Sequence, residues 1–425
     1  METIVPLYLM CCNNSLDRKR MRINFLSNTW YHDFVTIQNK LSTYPYISGR
    51  SLNAWEESFM GFSGTKIFKD HVIVTNACID SMVSSITLHE ENPILQEQTE
   101  AFLSSSDFGY SKIQVKSHRL DSSLLIQPSL GLAILHSRKY RNSYHFLEGI
   151  SSLFQILLHP EEYPQIKTVL LYGTPKLSNS SWMSFVQRIL FEAFPIKRRP
   201  KLITSFNQSE SLCDHVTFMR SWNSGKSGQL FDEVLAADLF RASAYHVAKI
   251  IIRPKTVSDK LSGIFVKRRN THRIVNYSEL FSELPSLSGI SFASAELEKL
   301  SPVDQVRLFS QADIVVGAHA TSLVNVIYLL PRSYVVELFP PFWSYGTYQK
   351  LCENMDLSYK SVFMSTPNDE DCKMNPESSM CRIRYNRNSN FTVDVFQVMN
   401  VLWNIPDIVW LQKYNIKVYN CLLTK

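Results

Sequence analysis

A histidine directly follows a buried apolar strand in the stretch DIVVGAHATSLVNVIYL, which covers residues 313–329. The strand is predicted to end at Gly317, and a helix is predicted to begin within the next few residues. The unpaired backbone N–H groups and the dipole of that helix would point at a ligand and favour an anion. The alternative is a tight strand-to-helix junction with a hydrogen-bonded histidine. The candidate binding residues at this junction are His319, Thr321, Ser322 and Asn325.

A second group of candidate residues is basic and lies in the stretch GIFVKRRNTHRIVN at residues 263–276. If strands and helices alternate, Lys267, Arg268, Arg269 and Arg273 follow a strand and reach the same sheet edge as the histidine. Guanidinium groups and a helix N-terminus together would neutralise a diphosphate. A solvated basic turn is the alternative for two of these four charges.

A third candidate is the stretch NSYHFLEGI at residues 142–150, where His145 precedes Glu148 by three residues. Residues at this spacing share one face of a helix, so an imidazole and a carboxylate would lie side by side. Such a pair can accept a proton from a substrate. A core histidine with satisfied hydrogen bonds is the alternative.

Several better-known ligand motifs are incomplete. The stretch SGKSG at residues 224–228 contains Gly-Lys-Ser, but the earlier glycine of a Walker A loop would fall at Arg220. No Gly-x-Gly-x-x-Gly follows a strand, so nicotinamide binding is not predicted. The acidic triplet at residues 369–371 resembles an Asp-x-Asp metal site, but no buried strand precedes it. No essential metal is predicted.

The composition is that of a folded globular protein with two domains of ordinary size. The chain has 425 residues, of which 45% are hydrophobic and 19% charged. A formal charge of +6 favours anionic partners. The basic residues are scattered, however, and do not interleave with aromatic residues along one face. Nucleic acid is therefore not a predicted partner.

The predicted compartment is the lumen of the secretory pathway, either the endoplasmic reticulum or the Golgi. Eight cysteines without a Cys-x-x-Cys pair and five Asn-x-Ser/Thr sequons are compatible with it. The apolar residues 4–12 are too short to span a membrane and lack a basic segment before them, so they are a poor signal peptide. We expect either an unusual signal or a sequence that lacks its true start. The sequons begin at Asn13, Asn179, Asn207, Asn276 and Asn390.

Periodicity predicts an α/β protein. Residues 1–125 form an N-terminal region to which no chemistry is assigned, although acceptor recognition is one guess for it. Short buried strands alternate with helices in residues 126–255, and the same alternation is unbroken from residue 256 onward, with a return segment near the C-terminus. This pattern predicts two domains with parallel sheets, facing each other across a cleft.

Several stretches resemble the catalytic domain of glycosyltransferase family 61. They include RRNTHRIVNYSEL, DIVVGAHATSLVNVIYLLP and VVELF, supported by YHFLEGISSLF, LFRASAYHV and MDLSY. The likeness runs in order through roughly residues 130–400. Animal members of this family transfer N-acetylglucosamine to EGF domains or to O-linked mannose.

The resemblance implies a GT-B-type pair of Rossmann-like domains, with a UDP-sugar as donor substrate in the C-terminal one and no other cofactor. It also implies inversion at the anomeric carbon and an acceptor hydroxyl on a glycoprotein or glycan. Inversion needs a base, for which Glu148 is the candidate, with His145 as its orienting partner or alternate. The residues that match the family pattern by position are Asp313, Gly317, His319, Leu323, Glu337, Arg273 and Asn276. Of these, Glu337 joins the donor-binding candidates His319, Thr321, Ser322, Asn325, Arg268, Arg269 and Arg273.

The chain departs from the family pattern at two glycines, which are replaced by Ala320 and Ser322. Donor binding would suffer if either position needs a left-handed backbone or close approach of phosphate. Two alternatives to an N-acetylglucosaminyltransferase therefore stay open. One is a protein of the same fold that binds sugar nucleotides without turnover, and the other is a UDP-pentose (xylosyl) transferase that acts on polysaccharide.

Overall fold

The computed structural model describes residues 65–409 with gaps. The N-terminal apolar stretch and the sequons at Asn13, Asn179 and Asn207 lie outside the described residues, as does the SGKSG stretch. The gaps are residues 68–70, 81–84, 89–92, 105–112, 118–130, 137–141, 159–165, 173–180, 195–198, 205–211, 220–229, 232–233, 252–259, 270, 288, 344–345, 365–368, 376–377, 379, 382–384 and 386–389.

The described residues fall into two compact units that divide between Asp232 and Glu233. Each unit is built on its own sheet with helices. The predicted α/β class is therefore confirmed, whereas the GT-B arrangement stays a prediction. The boundaries that composition and periodicity predict near residues 125 and 255 stay predictions. Those signals are local, and they do not reveal pairing between strands that are distant in sequence.

The earlier unit is built on a mixed sheet of eight strands in the order β4-β3-β2-β8-β5-β6-β7, with β1 paired to β2. Residues 65–117 supply four of these strands, so they share a sheet with residues 131–219. The pairs β5–β6, β6–β7, β5–β8 and β3–β4 are parallel. The strands are β1 (Thr65–Ile67), β2 (His71–Ile79), β3 (Ser85–Leu88), β4 (Gln114–Ser117), β5 (Gly131–His136), β6 (Ile166–Tyr172), β7 (Lys201–Ile203) and β8 (Leu212–Met219).

Four helices accompany this sheet in the described residues: α1 (Pro93–Ser104), α2 (Ser143–Ile150), α3 (Leu153–Leu158) and α4 (Trp182–Ala193). Helix α4 has one buried apolar face, formed by Phe185, Val186, Ile189 and Leu190, whereas Trp182 at its start is partly exposed. Its first turn is closed by the Ser181 hydroxyl, which accepts a hydrogen bond from the Ser184 amide at 3.0 Å.

The later unit is built on a five-stranded sheet in which each neighbouring pair is parallel, in the order β10-β9-β11-β12-β13. Numbered from its own first strand, this order is 2-1-3-4-5, which is one of the two common doubly wound orders. Buried Val, Ile, Leu and Phe side chains fill β9, β11 and β12, as expected for a sheet covered on both faces. The strands are β9 (Leu261–Val266), β10 (Ile290–Ala295), β11 (Ile314–Ala318), β12 (Tyr334–Phe339) and β13 (Ser358–Phe363).

Helices cover this sheet, and α7 begins as its sequence predicts. The Ser301 hydroxyl accepts from the Asp304 amide at 3.1 Å, and Pro302 occupies the first helical position. No helix of the described residues is long and apolar enough to cross a membrane. The helices are α5 (Val234–Val247), α6 (Tyr277–Glu283), α7 (Pro302–Ser310), α8 (Thr347–Asn354), α9 (Glu370–Met374), α10 (Val395–Trp403) and α11 (Ile405–Val409), with 3-10 helices at Leu284–Ser286, Leu297–Lys299 and Thr321–Tyr328.

Helix α5 is shorter than the apolar spacing of residues 230–252 predicts. It stops at Val247 because Lys249 adopts a left-handed conformation with a φ of 52°. The amide of Ile250 then donates to the carbonyl of Tyr245 at 2.9 Å, which is the hydrogen bond of a Schellman motif.

The helix predicted after His319 is a 3-10 helix, Thr321–Tyr328, and not an α-helix. Three of its eight residues are β-branched and apolar, and its last six residues are buried. Such side chains are poor α-helix formers, so tertiary packing decides the conformation here. The packing is tight at its first turn, since a Cβ built on Gly317 would lie 3.0 Å from Leu323 Cδ2.

Candidate functional site

The order in which strands are added to the later sheet reverses between the adjacent strands β9 and β11. The chain leaves β9 toward β10 on one side and leaves β11 toward β12 on the other. In doubly wound sheets the loops diverge at such a point and leave a crevice beyond the carboxyl ends of the strands. A pocket of about 240 Å³ lies there, and its lining includes Val266 at the end of β9 and Ala318 at the end of β11.

Basic side chains dominate the polar lining of this pocket, namely Lys267, Arg268, His272 and Arg273. Two of them already have anionic partners. Arg268 Nη1 lies 2.8 Å from Glu298 Oε1, and Lys267 Nζ lies 3.7 Å from Glu296 Oε1.

Arg273 is exposed, and within the described residues its guanidinium has no ion pair. Its backbone is nevertheless held on both sides. The Arg273 amide donates to Asn390 Oδ1 at 3.0 Å, and its carbonyl accepts from the Phe391 amide at 3.0 Å. This side chain is therefore the cation of the described lining that is best placed to receive an anionic ligand.

Arg269 stands apart from the pocket. It is absent from the lining, is exposed, and pairs through Nε with Glu296 Oε2 at 3.2 Å. The Lys299 hydrogen bond, helped by the nearby cations, lowers the pKa of Glu296. An ionised Glu296 thus forms an ion pair with Arg269. A solvated basic turn describes Arg269 better than donor binding does.

His319 comes directly after β11 and is held by the neighbouring strand. Its amide donates to the Leu338 carbonyl at 2.9 Å, so this N–H extends the sheet instead of pointing at a ligand. Its imidazole Nδ1 lies 2.5 Å from Glu337 Oε1. The His319 amide is therefore not one of the unpaired N–H groups predicted at this junction, and the donor-binding role of His319 stays a prediction.

Glu337 is completely buried, and each of its carboxylate oxygens has a partner. His319 holds Oε1, and the Tyr359 hydroxyl donates to Oε2 at 2.5 Å. Burial and the charge of Glu337 raise the pKa of Tyr359 above its usual range, so the phenol stays a donor. Because a carboxylate can only accept, Nδ1 carries the proton, and Nε2 is the ring nitrogen with which His319 can engage a ligand.

Aromatic rings restrict the imidazole further. The His319 ring is stacked on Phe339 with centroids 5.1 Å apart, and it meets Tyr348 edge-on at 5.7 Å. About 22% of its side chain is exposed. The imidazole is thus held at Nδ1 by Glu337 and stacked on one face by Phe339, and it is not fully buried.

The other predicted residues of this junction differ in their surroundings. Thr321 is exposed, whereas Asn325 is buried and donates to the Ser322 carbonyl at 3.0 Å, which gives it a structural task in the 3-10 helix. The Ser322 hydroxyl is buried and has no hydrogen-bond partner in the part of the chain that the structure describes. Ala320 is extended, with a φ of −163°, and Ser322 does not have a positive φ. Ala320 and Ser322, which replace the two glycines of the family pattern, therefore cause no backbone strain.

His145 and Glu148 of the earlier unit form a pair, as their spacing predicts. Imidazole Nδ1 lies 2.6 Å from Glu148 Oε2, and Glu148 is buried while His145 is partly exposed. Asn142 starts helix α2 by accepting hydrogen bonds from the amides of Tyr144 and His145. Burial and the charge of Glu148 raise the pKa of Tyr144 above its usual range. A carboxylate oriented by an imidazole can accept a proton from a hydroxyl.

The acidic triplet is explained by local structure. Asp369 caps helix α9 by accepting from the Cys372 amide at 3.2 Å, and its other oxygen accepts from the Tyr385 hydroxyl at 3.1 Å. Glu370 pairs with Lys373. Throughout the described ranges, no group of three His, Cys, Asp or Glu side chains could hold a metal ion. Metal independence stays a prediction.

Two residues of the site were not identified from sequence. Tyr359 lies in the MDLSY stretch, but nothing in that stretch shows that its hydroxyl reaches from β13 to Glu337 on the neighbouring strand β12. His272 lines the pocket and has a left-handed backbone with a φ of 59°. Left-handed non-glycine residues concentrate at functional sites, yet the sequence alone does not show that His272 adopts this conformation.

Replacing Tyr359 by Phe leaves one oxygen of a buried carboxylate without its donor. We expect this variant to lower the free energy of unfolding by about 1–3 kcal/mol in chemical denaturation. In unfolded chains tyrosine ionises near pH 10, whereas the raised pKa keeps Tyr359 protonated in the folded state. Stability should therefore fall as the pH rises above about 10, and less steeply in the variant.

The matched control is Tyr334→Phe. Tyr334 is half-buried, and its hydroxyl makes no hydrogen bond with the described residues. The control should change the free energy of unfolding by less than about 0.5 kcal/mol. Equal losses in the two variants would contradict the role assigned to the Tyr359 hydroxyl.

The region that holds these candidate residues is similar to known proteins. A family model described as Glycosyltransferase 61 matches residues 132–336, which run from β5 into β12. The match contains His145, Glu148, Arg273 and His319, and it stops one residue before Glu337.

One curated relative is Protein O-linked-mannose beta-1,4-N-acetylglucosaminyltransferase 2 of Tetraodon nigroviridis. It is 28% identical over 128 residues, which cover 27% of this chain and 22% of the relative. The match thus spans about a fifth of the relative's length. Residues 132–336 of this chain, which include the pocket-lining residues, are therefore similar to glycosyltransferase family 61.

Proposed function

We propose that this chain is an inverting glycosyltransferase that transfers N-acetylglucosamine from UDP-N-acetylglucosamine to a hydroxyl of a protein or glycan acceptor. The observation that carries the proposal is the Glycosyltransferase 61 match over residues 132–336, whose strands β9 and β11 border the basic pocket. The choice of sugar follows the printed name of the relative, which is an N-acetylglucosaminyltransferase.

The donor diphosphate fits the pocket at the switch point. Arg273 is exposed there without an ion pair in the described structure, and Arg268 adds a second guanidinium beside Glu298. Guanidinium groups bind phosphate oxygens with two parallel hydrogen bonds and retain their charge at every physiological pH. Their task in the reaction would be to stabilise the charge that develops on the departing diphosphate.

His319 supports the same leaving group. With Nδ1 held by Glu337, its Nε2 can engage a phosphate oxygen or the sugar. The buried Ser322 hydroxyl, which lacks a partner in the described part of the chain, is a further donor at this junction. Because Glu337 and Tyr359 orient the imidazole before the donor arrives, little reorganisation is required during the reaction.

Glu148 is the proposed base. The acceptor oxygen would attack the anomeric carbon while the bond between that carbon and the diphosphate oxygen breaks, and UDP would leave with the bonding electrons. The acceptor proton would pass to the Glu148 carboxylate, whose Oε2 is held by His145. A single displacement of this kind inverts the anomeric configuration.

We place this activity in the lumen of the endoplasmic reticulum or Golgi. Cys372 and Cys381 form a disulfide, and Cys78 is also disulfide-bonded. Disulfides persist in oxidising compartments and are rare in the cytosol. The acceptor would accordingly be a glycoprotein or glycan of that compartment.

A donor screen tests the proposed function. Full-length protein is incubated with UDP-N-acetylglucosamine or UDP-xylose and an acceptor hydroxyl library, and UDP release and product are measured with and without chelator. We expect product with UDP-N-acetylglucosamine, with the anomeric configuration inverted and no loss on chelation. Product with UDP-xylose alone would select the pentosyl transferase, and tight calorimetric binding without turnover would select a binding protein.

Replacing Arg273 by Ala should weaken donor binding, because a charge-assisted hydrogen bond to the diphosphate would be lost. The expected cost is about 1.5–3 kcal/mol, or roughly a 10- to 100-fold rise in the Kd for UDP measured by calorimetry. Arg307→Ala is the control, because Arg307 is an exposed arginine that pairs with Asp304 on helix α7. An unchanged Kd in Arg273→Ala would remove this residue from the donor site.

Replacing Glu148 by Gln should abolish proton acceptance while keeping the size of the side chain. We expect kcat to fall by about 10²- to 10⁴-fold, with the Kd for UDP unchanged. Glu192→Gln is the control, since Glu192 pairs with Arg199 in the same unit. A kcat within a few-fold of the parent value would rule Glu148 out as the base.

A further inference from the structure

Two of the Asn-x-Ser/Thr sequons meet where residues 273–276 pair with residues 390–393. Ile274 and Phe391 form a parallel bridge, and the Val275 amide donates to the Phe391 carbonyl at 2.8 Å. The sequon asparagines Asn276 and Asn390 lie at the two ends of this pairing, and both contribute side-chain hydrogen bonds to it. In this small clasp both amide oxygens accept a hydrogen bond, but the amide nitrogen donates in Asn276 and not, among the described residues, in Asn390.

The Asn276 amide is fully engaged. Its Oδ1 accepts from the Val393 amide at 2.9 Å, and its Nδ2 donates both to the Val393 carbonyl at 2.9 Å and to Glu279 Oε2 at 3.0 Å. A primary amide nitrogen has two hydrogens. A glycan on Nδ2 would replace one of them and place a bulky sugar between helix α6 and residues 390–393.

The Asn390 amide is engaged through its oxygen. Oδ1 accepts from the Arg273 amide at 3.0 Å, and Nδ2 makes no hydrogen bond with the described residues. Both Asn390 and the sequon residue Thr392 are exposed. Substitution on Nδ2 keeps Oδ1 as an acceptor, so a glycan at Asn390 is compatible with the hydrogen bonds that the clasp makes among the described residues.

We propose that the folded chain carries an N-linked glycan on Asn390 and none on Asn276. The modification would occur in the secretory lumen, where the proposed function places the chain, and the donor would be a lipid-linked oligosaccharide diphosphate. The Asn390 Nδ2 forms a bond to the anomeric carbon, the bond from that carbon to the diphosphate breaks, and the amide releases one proton.

The full-length chain is expressed behind a cleavable secretion signal in eukaryotic cells, and the folded, monodisperse fraction is collected. Glycans are removed enzymatically in heavy-oxygen water, which converts each glycosylated asparagine to a labelled aspartate that peptide mass spectrometry locates. We expect the label at Asn390 and none at Asn276. Label at Asn276 in the folded fraction, or an unlabelled Asn390, would overturn the proposal.

Sequon variants separate modification from folding. Thr392→Ala should remove one glycan, seen as one step in electrophoretic mobility, and Thr392→Ser should restore it. Ser278→Ala, which deletes the other sequon, should leave the glycan pattern unchanged. Loss of a glycan in Ser278→Ala, or no change in Thr392→Ala, would contradict the assignment. Neither readout depends on sugar transfer by this chain, so failure here is distinguishable from failure of the proposed function.

Discussion

The Glu337 carboxylate has no exposed surface, and a charge in that position is tolerated only when its oxygens receive hydrogen bonds. One oxygen is met by His319 and the other by Tyr359, which lie beyond β11 and on β13 on either side of β12. Three neighbouring segments of the later sheet therefore converge on one buried charge. Because the buried Glu337 carboxylate requires a hydrogen bond on each oxygen, the His319 imidazole is held in one orientation at the edge of the sheet.

Strand order supplies the second half of the arrangement. In the order β10-β9-β11-β12-β13, the chain departs in opposite directions from β9 and β11, and in doubly wound sheets a crevice opens beyond the strand ends at such a point. Arg273 reaches this crevice from the segment after β9, and the residues after β11 lead directly to His319. The basic pocket and the pinned histidine are thus products of one topological feature. In the earlier unit, His145 and Glu148 are joined by a purely local feature, the spacing of one helix.

Features of the fold and of the candidate site could be predicted from the sequence where the signal is local. The strands β9, β11 and β12, the capped helix α7 and the pairing of His145 with Glu148 follow from periodicity and spacing. What could not be predicted depends on distant contacts. The 3-10 conformation at Thr321–Tyr328 results from packing, the use of the His319 amide depends on β12, and the Tyr359 contact joins β13 to the neighbouring strand β12. Likewise, the pairing of β2 with β8 joins residues 65–117 to a sheet whose other strands begin at residue 131.

The clasp between residues 273–276 and 390–393 also affects the order in which parts of the chain can fold during synthesis. Its hydrogen bonds, including the one that fixes the Arg273 backbone, link positions 117 residues apart. During synthesis the ribosome must therefore deliver nearly the whole polypeptide before that arginine acquires its final backbone support. The sheet strands of this unit emerge earlier, so the scaffold can assemble first and the anion-receiving edge last. A chain that terminates prematurely before residue 390 would carry the strands of the later sheet yet lack the clasp that completes its binding edge.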